Sequence, residues 1–229
     1  MTTLSIVIPV YNEIDTIDEI LKRVENTNLV DEKNIVDEYS MDRTQERIQQ
    51  LAASNPLIKL HLHERNFGKG KAVQTGIAAA TCDLVLIQDA DLEYDPADYP
   101  LLLEPIKSGK ADVVYGSRFL GAPRRTTMFW HMVANKLLTL MTNLLYNSIL
   151  TDMETGYKLF RRELIQSIEI NSQRFNFEPE ITAKLLKRKV RLFEVPISFN
   201  PREYEEGKKI GLGDAFEAVW ALIRYRFSD

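Results

Sequence analysis

The chain has 229 residues, a formal net charge of −4 and one cysteine, Cys82. That length can bury one sizeable core, the mild acidity argues against a nucleic-acid partner, and a lone thiol rules out an internal disulfide and fits a reducing, cytoplasmic compartment. No basic n-region precedes the first apolar run, and no window reaches the roughly 18 uninterrupted apolar residues of a membrane span, so a soluble or peripherally bound protein is expected.

In chain order, Leu4–Val10 reads as a fully buried strand, and Asn12 as the cap of a helix with Ile14, Ile17, Leu21 and Val24 at helical spacing. Ile35-Val36 is a short second strand, Thr44–Ser54 a helix stopped by Asn55-Pro56, and Ile58–Leu62 an alternating third strand. A helix over about Lys71–Ala80 leads into the apolar run Leu84–Ile87, and Asp112–Gly116 makes a fifth strand. This alternation predicts a mostly parallel, twisted α/β sheet flanked by helices. Beyond it, Phe129–Tyr146 is a long apolar helix carrying one polar stripe, Asn135, Thr139, Asn143 and Tyr146, which suits either a site lining or a solvated face. Helices near Glu163–Ile168 and Glu178–Lys187, a strand at Val190–Val195 and an amphipathic helix ending near Phe227 complete the pattern.

The stretch richest in chemistry is Gln88-Asp89-Ala90-Asp91-Leu92-Glu93, at the exit of the fourth strand. Residues i and i+2 of an extended segment point the same way. Asp89 and Asp91 can therefore face one oxygen-loving cation, Mg²⁺ or Mn²⁺, with Glu93 next in line; a solvated acidic turn is the plainer alternative. Gly68-Lys69-Gly70-Lys71 follows the third strand and is similar to a phosphate cradle, although it lacks the full Walker pattern.

Taken together and in this order, several segments resemble the inverting family 2 glycosyltransferases, within them the dolichyl-phosphate mannose synthase and polyprenyl-phosphate glycosyltransferase branch. The matching segments are Ile8-Pro9-Val10-Tyr11-Asn12-Glu13, Val36-Asp37 through Asp42-Arg43-Thr44, Asn66 through Gly70, and Gln88 through Glu93. Gly116-Ser117-Arg118, Thr151-Asp152-Met153-Glu154-Thr155-Gly156 and Pro201-Arg202 through Lys209 complete the set. One segment departs from the family's Asp-Asp-Gly-Ser-x-Asp-Gly-Thr: Glu38, Tyr39 and Arg43 replace the second Asp and both glycines, removing easy access to positive φ.

The resemblance implies a GT-A-like fold over residues 1–229, with a nucleotide-sugar half (1–118) and an acceptor-side half (119–229) ending in a C-terminal helix. It implies that Pro9, Tyr11, Glu13 and Asp37 surround the base and ribose, with Asp42 either joining them or capping a helix. Asp89, Asp91 and Glu93 would hold the metal on the donor diphosphate, and Lys69, Arg202, Lys208 and Lys209 would supply positive charge, the last two also reading as a solvated run. Arg118 matches an acceptor-phosphate arginine, with Asn135, Lys136 and Thr139 as possible helpers. Asp152 matches an aspartate that acts as base or sugar-orienting group, or simply makes a turn. The implied activity is metal-dependent, inverting transfer of a hexose from GDP-mannose or UDP-glucose to dolichyl or polyprenyl phosphate at the cytoplasmic face of a membrane, or through a membrane-embedded partner. Rival readings are a soluble or polysaccharide acceptor, sugar-nucleotide synthesis, and a non-catalytic sugar-nucleotide or lipid-binding module. Nucleotidyl transfer would call for a glycine-rich loop after the first strand, where Pro9-Val10-Tyr11-Asn12-Glu13 stands instead.

Overall fold

The computed structural model describes residues 2–122, 129–174, 176–202 and 212–228, the last segment by backbone alone over 212–216. Its elements are β1 (Leu4–Val10), α1 (Ile17–Asn26), β2 (Glu32–Asp37), α2 (Thr44–Ser54), β3 (Ile58–Leu62), α3 (Lys69–Ala79) and β4 (Leu84–Ile87). A 3-10 turn at Pro96–Asp98 leads into α4 (Tyr99–Lys107), then β5 (Val113–Ser117) and α5 (Phe129–Tyr146). The chain closes with β6 (Lys158–Arg161), α6 (Arg162–Gln166), α7 (Phe177–Lys187), β7 (Leu192–Pro196) and α8 (Leu212–Phe227).

The strands form one seven-stranded sheet in the order β3-β2-β1-β4-β6-β5-β7, parallel except for β6, which runs against both β4 and β5. The apolar runs anticipated as strands lie at its centre because both faces are covered. On one face α1, α2 and α4 pack through Ile17, Ile20, Val24, Ile48, Leu102 and Ile106. On the other, α3, α6 and α7 contribute Val73, Ile77, Ile165, Phe177, Ile181 and Leu185. Helix α8 packs on α7 and α5, with Leu222 and Ala218 against Leu138, Leu150 and Met153.

Several expectations change in the folded chain. Strand β2 is longer than Ile35-Val36 because its polar start is buried and paired: Glu32 accepts from the Thr81 hydroxyl, the Asn34 amide and Lys59, and Lys33 reaches Glu25 at 3.3 Å. Helix α4 is an addition, hidden in sequence by its prolines; Pro100 sits in the first turn, where no N–H is needed, and Pro105 gives up one internal bond. Strand β6 is also an addition, four residues long and running straight into α6. Helix α1 starts at Ile17 after Thr16, so Asn12 does not cap it.

Asp112, just ahead of β5, clasps Arg191 before β7 (2.7 Å) and Arg161 at the end of β6 (3.2 Å). The Arg191 hydrogen bonds lead in holding its carboxyl down at about 2. A depressed carboxylate stabilises the fold above its unfolded value near 4 and loses that contribution as pH falls through about 2. Asp112→Asn should therefore cost about 1 kcal/mol at pH 7, reduced by solvent screening of the half-exposed Arg191, and almost nothing at pH 2. Urea titrations of both proteins at the two pH values check this.

Candidate active site

Because β1, β4 and β5 are parallel, they end on one edge of the sheet, and antiparallel β6 begins there. That edge is where open α/β sheets bind ligands. It gathers Tyr11–Glu13 after β1, Gln88–Glu93 after β4, Arg118 after β5 and Asp152–Tyr157 before β6.

Asp37, at the end of β2, is fully buried and pairs in register with Val10, next to Pro9. Its Oδ2 accepts from the Ser40 N–H at 3.1 Å, whereas Oδ1 meets no hydrogen-bond partner among the described residues. A sealed, unsatisfied carboxylate oxygen calls for a donor, and half-buried Tyr11 stands on the same edge. Tyr39, at the first missing glycine, does take the left-handed conformation (φ +66°). Asn12 (φ +56°) holds that loop: its Oδ1 accepts from Met41 N–H at 2.7 Å, and its own N–H donates to the Ser40 hydroxyl at 2.9 Å. Asp42 stands one residue before Arg43, the N-cap of α2, and holds the start of the helix to the loop after β1: the Thr44 and Ile14 N–H groups donate to its two oxygens. Burial opposes its ionisation, but those bonds prevail and keep its pKa low.

At the exit of β4, both Asp89 oxygens face the Lys69 ammonium, at 2.8 and 3.0 Å, and Glu178 of α7 stands 3.7 Å from the same nitrogen. Burial would discharge Lys69; Asp89 and Glu178 outweigh it and raise its pKa. Asp91 directs Oδ1 to the Glu93 N–H (3.1 Å) and places Oδ2 3.8 Å from Arg202. Arg202 also donates to the Asp91 carbonyl (3.0 Å) and to both Glu13 oxygens (2.8 Å each), and its N–H bonds Glu93 Oε1 (2.8 Å). The three carboxylates expected on one side thus divide, Asp89 turning to Lys69 while Asp91 and Glu93 both turn toward Arg202. The same-side rule needs extended chain, and β4 stops at Ile87 while Leu92 turns left-handed (φ +60°). Among the described residues no three acidic, His or Cys side chains converge as a metal cluster. What remains fits Mg²⁺ or Mn²⁺ in its substrate-bound mode: all donors are oxygens, and Asp91 is solvent-accessible. Such ions take one or two carboxylates and complete their shell with phosphates and water.

The Gly68–Lys71 turn is not an open phosphate cradle. Its glycines let the 172–174 backbone cross it, and Lys71 N–H donates to the Gln173 carbonyl at 3.0 Å. A Cβ on Gly70 would lie 2.7 Å from the Arg174 and Ser172 carbonyl oxygens. Gly70→Ala should destabilise by about 1–3 kcal/mol, since backbone cannot step aside as a side chain can, and chemical denaturation measures it.

On the other side of the edge, Arg118 and Asp152 form a bidentate pair, Nε–Oδ2 and Nη2–Oδ1 both 2.7 Å, with Asp152 fully buried. Arg118 N–H (3.0 Å) and the Asn135 amide (3.1 Å) also donate to Asp152. Burial resists the charge on Asp152, but Arg118 dominates and lowers its pKa. A carboxylate so occupied orients Arg118 and is a poor proton acceptor. Glu194 of β7 holds the same turn by accepting the Thr151 and Asp152 N–H groups, at 2.8–3.0 Å. The polar stripe of α5 is the seam to this loop: Thr139 is buried and accepts from Met153 N–H, Asn143 bonds both polar atoms of the Leu150 backbone, and Tyr146 donates to the Leu222 carbonyl. Thr139 is therefore not a free acceptor ligand. Lys136 is exposed, its ammonium 4.8 Å from the Phe119 ring. Lys208 and Lys209 lie outside the described residues.

Sequence reasoning missed Tyr94, Glu178 and Glu194. Tyr94 sits between the two charged groups, accepting the Gly156 N–H at 3.1 Å and stacking on Tyr157 at 4.9 Å. Its hydroxyl keeps its proton, its pKa pushed up to about 12 by burial. Only Glu178 carried a signal in sequence, as a charge inside an apolar helix start, Phe177-Glu178-Pro179-Glu180.

Among known proteins, the chain is 32% identical over 91% of its length to a dolichol-phosphate mannosyltransferase of Pyrococcus furiosus, of which it spans 59%. It is 29% identical over 96% of its length to an undecaprenyl-phosphate mannosyltransferase of Micrococcus luteus, spanning 92% of that protein. A Haloferax volcanii low-salt glycan biosynthesis hexosyltransferase is 29% identical, and the chain spans 52% of it. Glucosyl-3-phosphoglycerate synthase from Mycobacterium tuberculosis, in complex with Mn²⁺, UDP-glucose and phosphoglyceric acid, superposes with a TM-score of 0.76 at 21% identity, over 98% of this chain and 80% of that one. This last likeness is one of fold, and the fold is GT-A. The family model for glycosyl transferase family 2 matches residues 5–169. A match that runs from β1 past α6, through the exits of β1, β4 and β5 and the turn before β6, makes the chain a member of glycosyl transferase family 2.

Proposed function

We propose that the chain transfers a hexose, with inversion, from a nucleotide sugar such as GDP-mannose or UDP-glucose to a polyprenyl or dolichyl phosphate. The observation that carries this reading is the buried Arg118–Asp152 pair, which presents a fixed guanidinium across the sheet edge from the acidic exit of β4. An acceptor phosphate is already an anion at neutral pH and needs no strong base; it needs a cation to hold it in line. A phosphate oxygen then forms the new bond to the anomeric carbon from one side as the bond to the donor diphosphate breaks on the other. The nucleoside diphosphate leaves with the electron pair.

Asp91, with Asp89 and Glu93 beside it, would hold Mg²⁺ or Mn²⁺ against the donor diphosphate, where a divalent ion offsets the charge gathering on the leaving group. Arg202, already drawn to Asp91 and Glu13, stands ready to contact that diphosphate, with Lys208 and Lys209 as further candidates. Pro9, Tyr11, Glu13 and Asp37 would receive the base and ribose, with the unsatisfied Asp37 oxygen as the natural acceptor for a base N–H.

A lipid acceptor is favoured over a soluble one by the surface of α5 and α8. Phe129, Trp130, Leu137 and Leu144 on α5 and Trp220 and Phe227 on α8 are all more than half exposed, and α5, against which α8 packs, also carries Asn135, which bonds Asp152 beside Arg118. Aromatic and aliphatic side chains of this kind suit the boundary of a bilayer. We place the protein peripherally, on the cytoplasmic face, on the strength of that surface and of a lipid-linked acceptor; no helix among the described residues is long and apolar enough to cross a membrane. The test is a panel of radiolabelled nucleotide sugars with a short polyprenyl phosphate and Mg²⁺ or Mn²⁺, scored for label in the organic phase. Label appearing there supports the reading; label passing only to water, phosphoglycerate or oligosaccharide overturns it.

A further inference from the structure

The stretch Asp152–Gly156 ties the two charged groups together. At one end Asp152 fixes Arg118; at the other, Gly156 lies so close to the β4 exit that a Cβ there would stand 2.6 Å from Asp89 Oδ2 and 3.4 Å from Lys69 Nζ. Glu154 is the middle residue of that stretch. Its Oε1 is sealed from solvent and meets no hydrogen-bond partner among the described residues. The surrounding charged groups are Glu178, Lys158, Arg118 and Asp152. Lys158 spends its ammonium on the Met153 and Thr155 carbonyls, and Glu178 faces Lys69.

In an in-line displacement the transferred ring must sit between the leaving diphosphate and the attacking phosphate. On this fold that is the space between Asp89–Asp91 and Arg118, and the segment from Asp152 to Gly156 that carries Glu154 joins those limits. Resting on the transfer reading above, we infer that Glu154 is a specificity-determining residue that hydrogen-bonds one hydroxyl of the donor hexose. Burial, aided by Glu178, raises its pKa, so the group retains a proton more readily than an ordinary glutamate and can donate to a sugar oxygen as well as accept. A buried polar atom reserved for a hydroxyl rejects a ligand that lacks it, because it is then left unpaired.

The test uses calorimetry with the intact chain and divalent metal and needs no acceptor, so it stands apart from the lipid question. Affinities of the nucleoside diphosphate, the nucleotide sugar and its monodeoxy analogues are compared in the wild type, Glu154→Met and Glu154→Gln. In the wild type, one deoxy analogue should bind about tenfold or more weaker than the parent. Glu154→Met should bind the parent as weakly as that analogue, leave the analogue itself unchanged, and hold nucleoside diphosphate within about twofold. Glu154→Gln should alter the penalty at that same hydroxyl and at no other. Equal weakening of the parent, every analogue and the bare nucleotide would overturn the inference and make Glu154 a structural residue. Should Glu154→Met not fold, an unchanged set of penalties in Glu154→Gln would overturn it equally. Failure of the transfer reading looks different: sugar-selective binding through Glu154 would persist while no label reached the lipid.

Discussion

Arg118→Ala should lower kcat/KM for polyprenyl phosphate by about 2–4 kcal/mol while nucleoside diphosphate binding, measured by calorimetry with metal, stays within about twofold. Among the described residues the guanidinium's contacts are Asp152 and the faces of Phe119 and Phe199. The same variant strands Asp152, fully buried, without its cation, and should cost about 3–5 kcal/mol of stability. The pH dependence identifies the cause. In the wild type Asp152 has a lowered pKa, so its contribution is present above the unfolded value near 4 and fades as pH falls through the lower folded value. Without the Arg118 guanidinium, burial is opposed only by the Asn135 amide and the N–H of residue 118, so the carboxyl's pKa should rise and the stability gap between variant and wild type should narrow from pH 7 to pH 5. Arg118→Lys keeps a charge beside Asp152 but loses the bidentate fork, and should retain most of the stability while still impairing the acceptor step. Arg202→Ala should show the opposite selectivity, weakening the nucleotide first. If Arg118→Ala and Arg202→Ala weaken nucleotide equally and neither changes the lipid dependence, the acceptor assignment fails.

Asp91→Asn should reduce turnover by roughly two orders of magnitude or more, the scale of losing a key electrostatic element. The amide oxygen can still accept from the Glu93 N–H, so the turn after β4 should hold and the melting temperature should barely move. What disappears is the formal charge of a solvent-accessible carboxylate 3.8 Å from Arg202. Metal-dependent tightening of nucleoside diphosphate binding should vanish along with turnover. Transfer at near wild-type rate in this variant, or in EDTA, would show that the acidic exit only shapes the turn.

These two residues were visible in the sequence for different reasons. Asp91 follows an apolar run long enough to be a buried strand, so its place at a sheet edge follows from periodicity alone. Arg118 follows a second such run, and the parallel direction of β4 and β5, implied by the alternation of strands and helices, puts both exits on one side. Local pattern and the resemblance therefore determined the α/β core, the exits of β1, β4 and β5, and the family.

Only the tertiary structure decided which partner each charged group finds. Asp89 turns to Lys69 and Glu93 to the Arg202 backbone, because those oxygens lie within reach of donors from elements far away in sequence. Strand β6 shows why this was out of reach: it is too short to announce itself, yet its antiparallel entry between β4 and β5 carries Asp152, Glu154 and Gly156 into the site. Tyr39 shows the reverse, a residue whose sequence argued against a left-handed turn and which takes one because Asn12 and Ser40 hold the loop by three hydrogen bonds. Side-chain periodicity reports which way a residue faces along its own element; it carries no information about what another element brings opposite, and the chemistry of this site is made of such encounters.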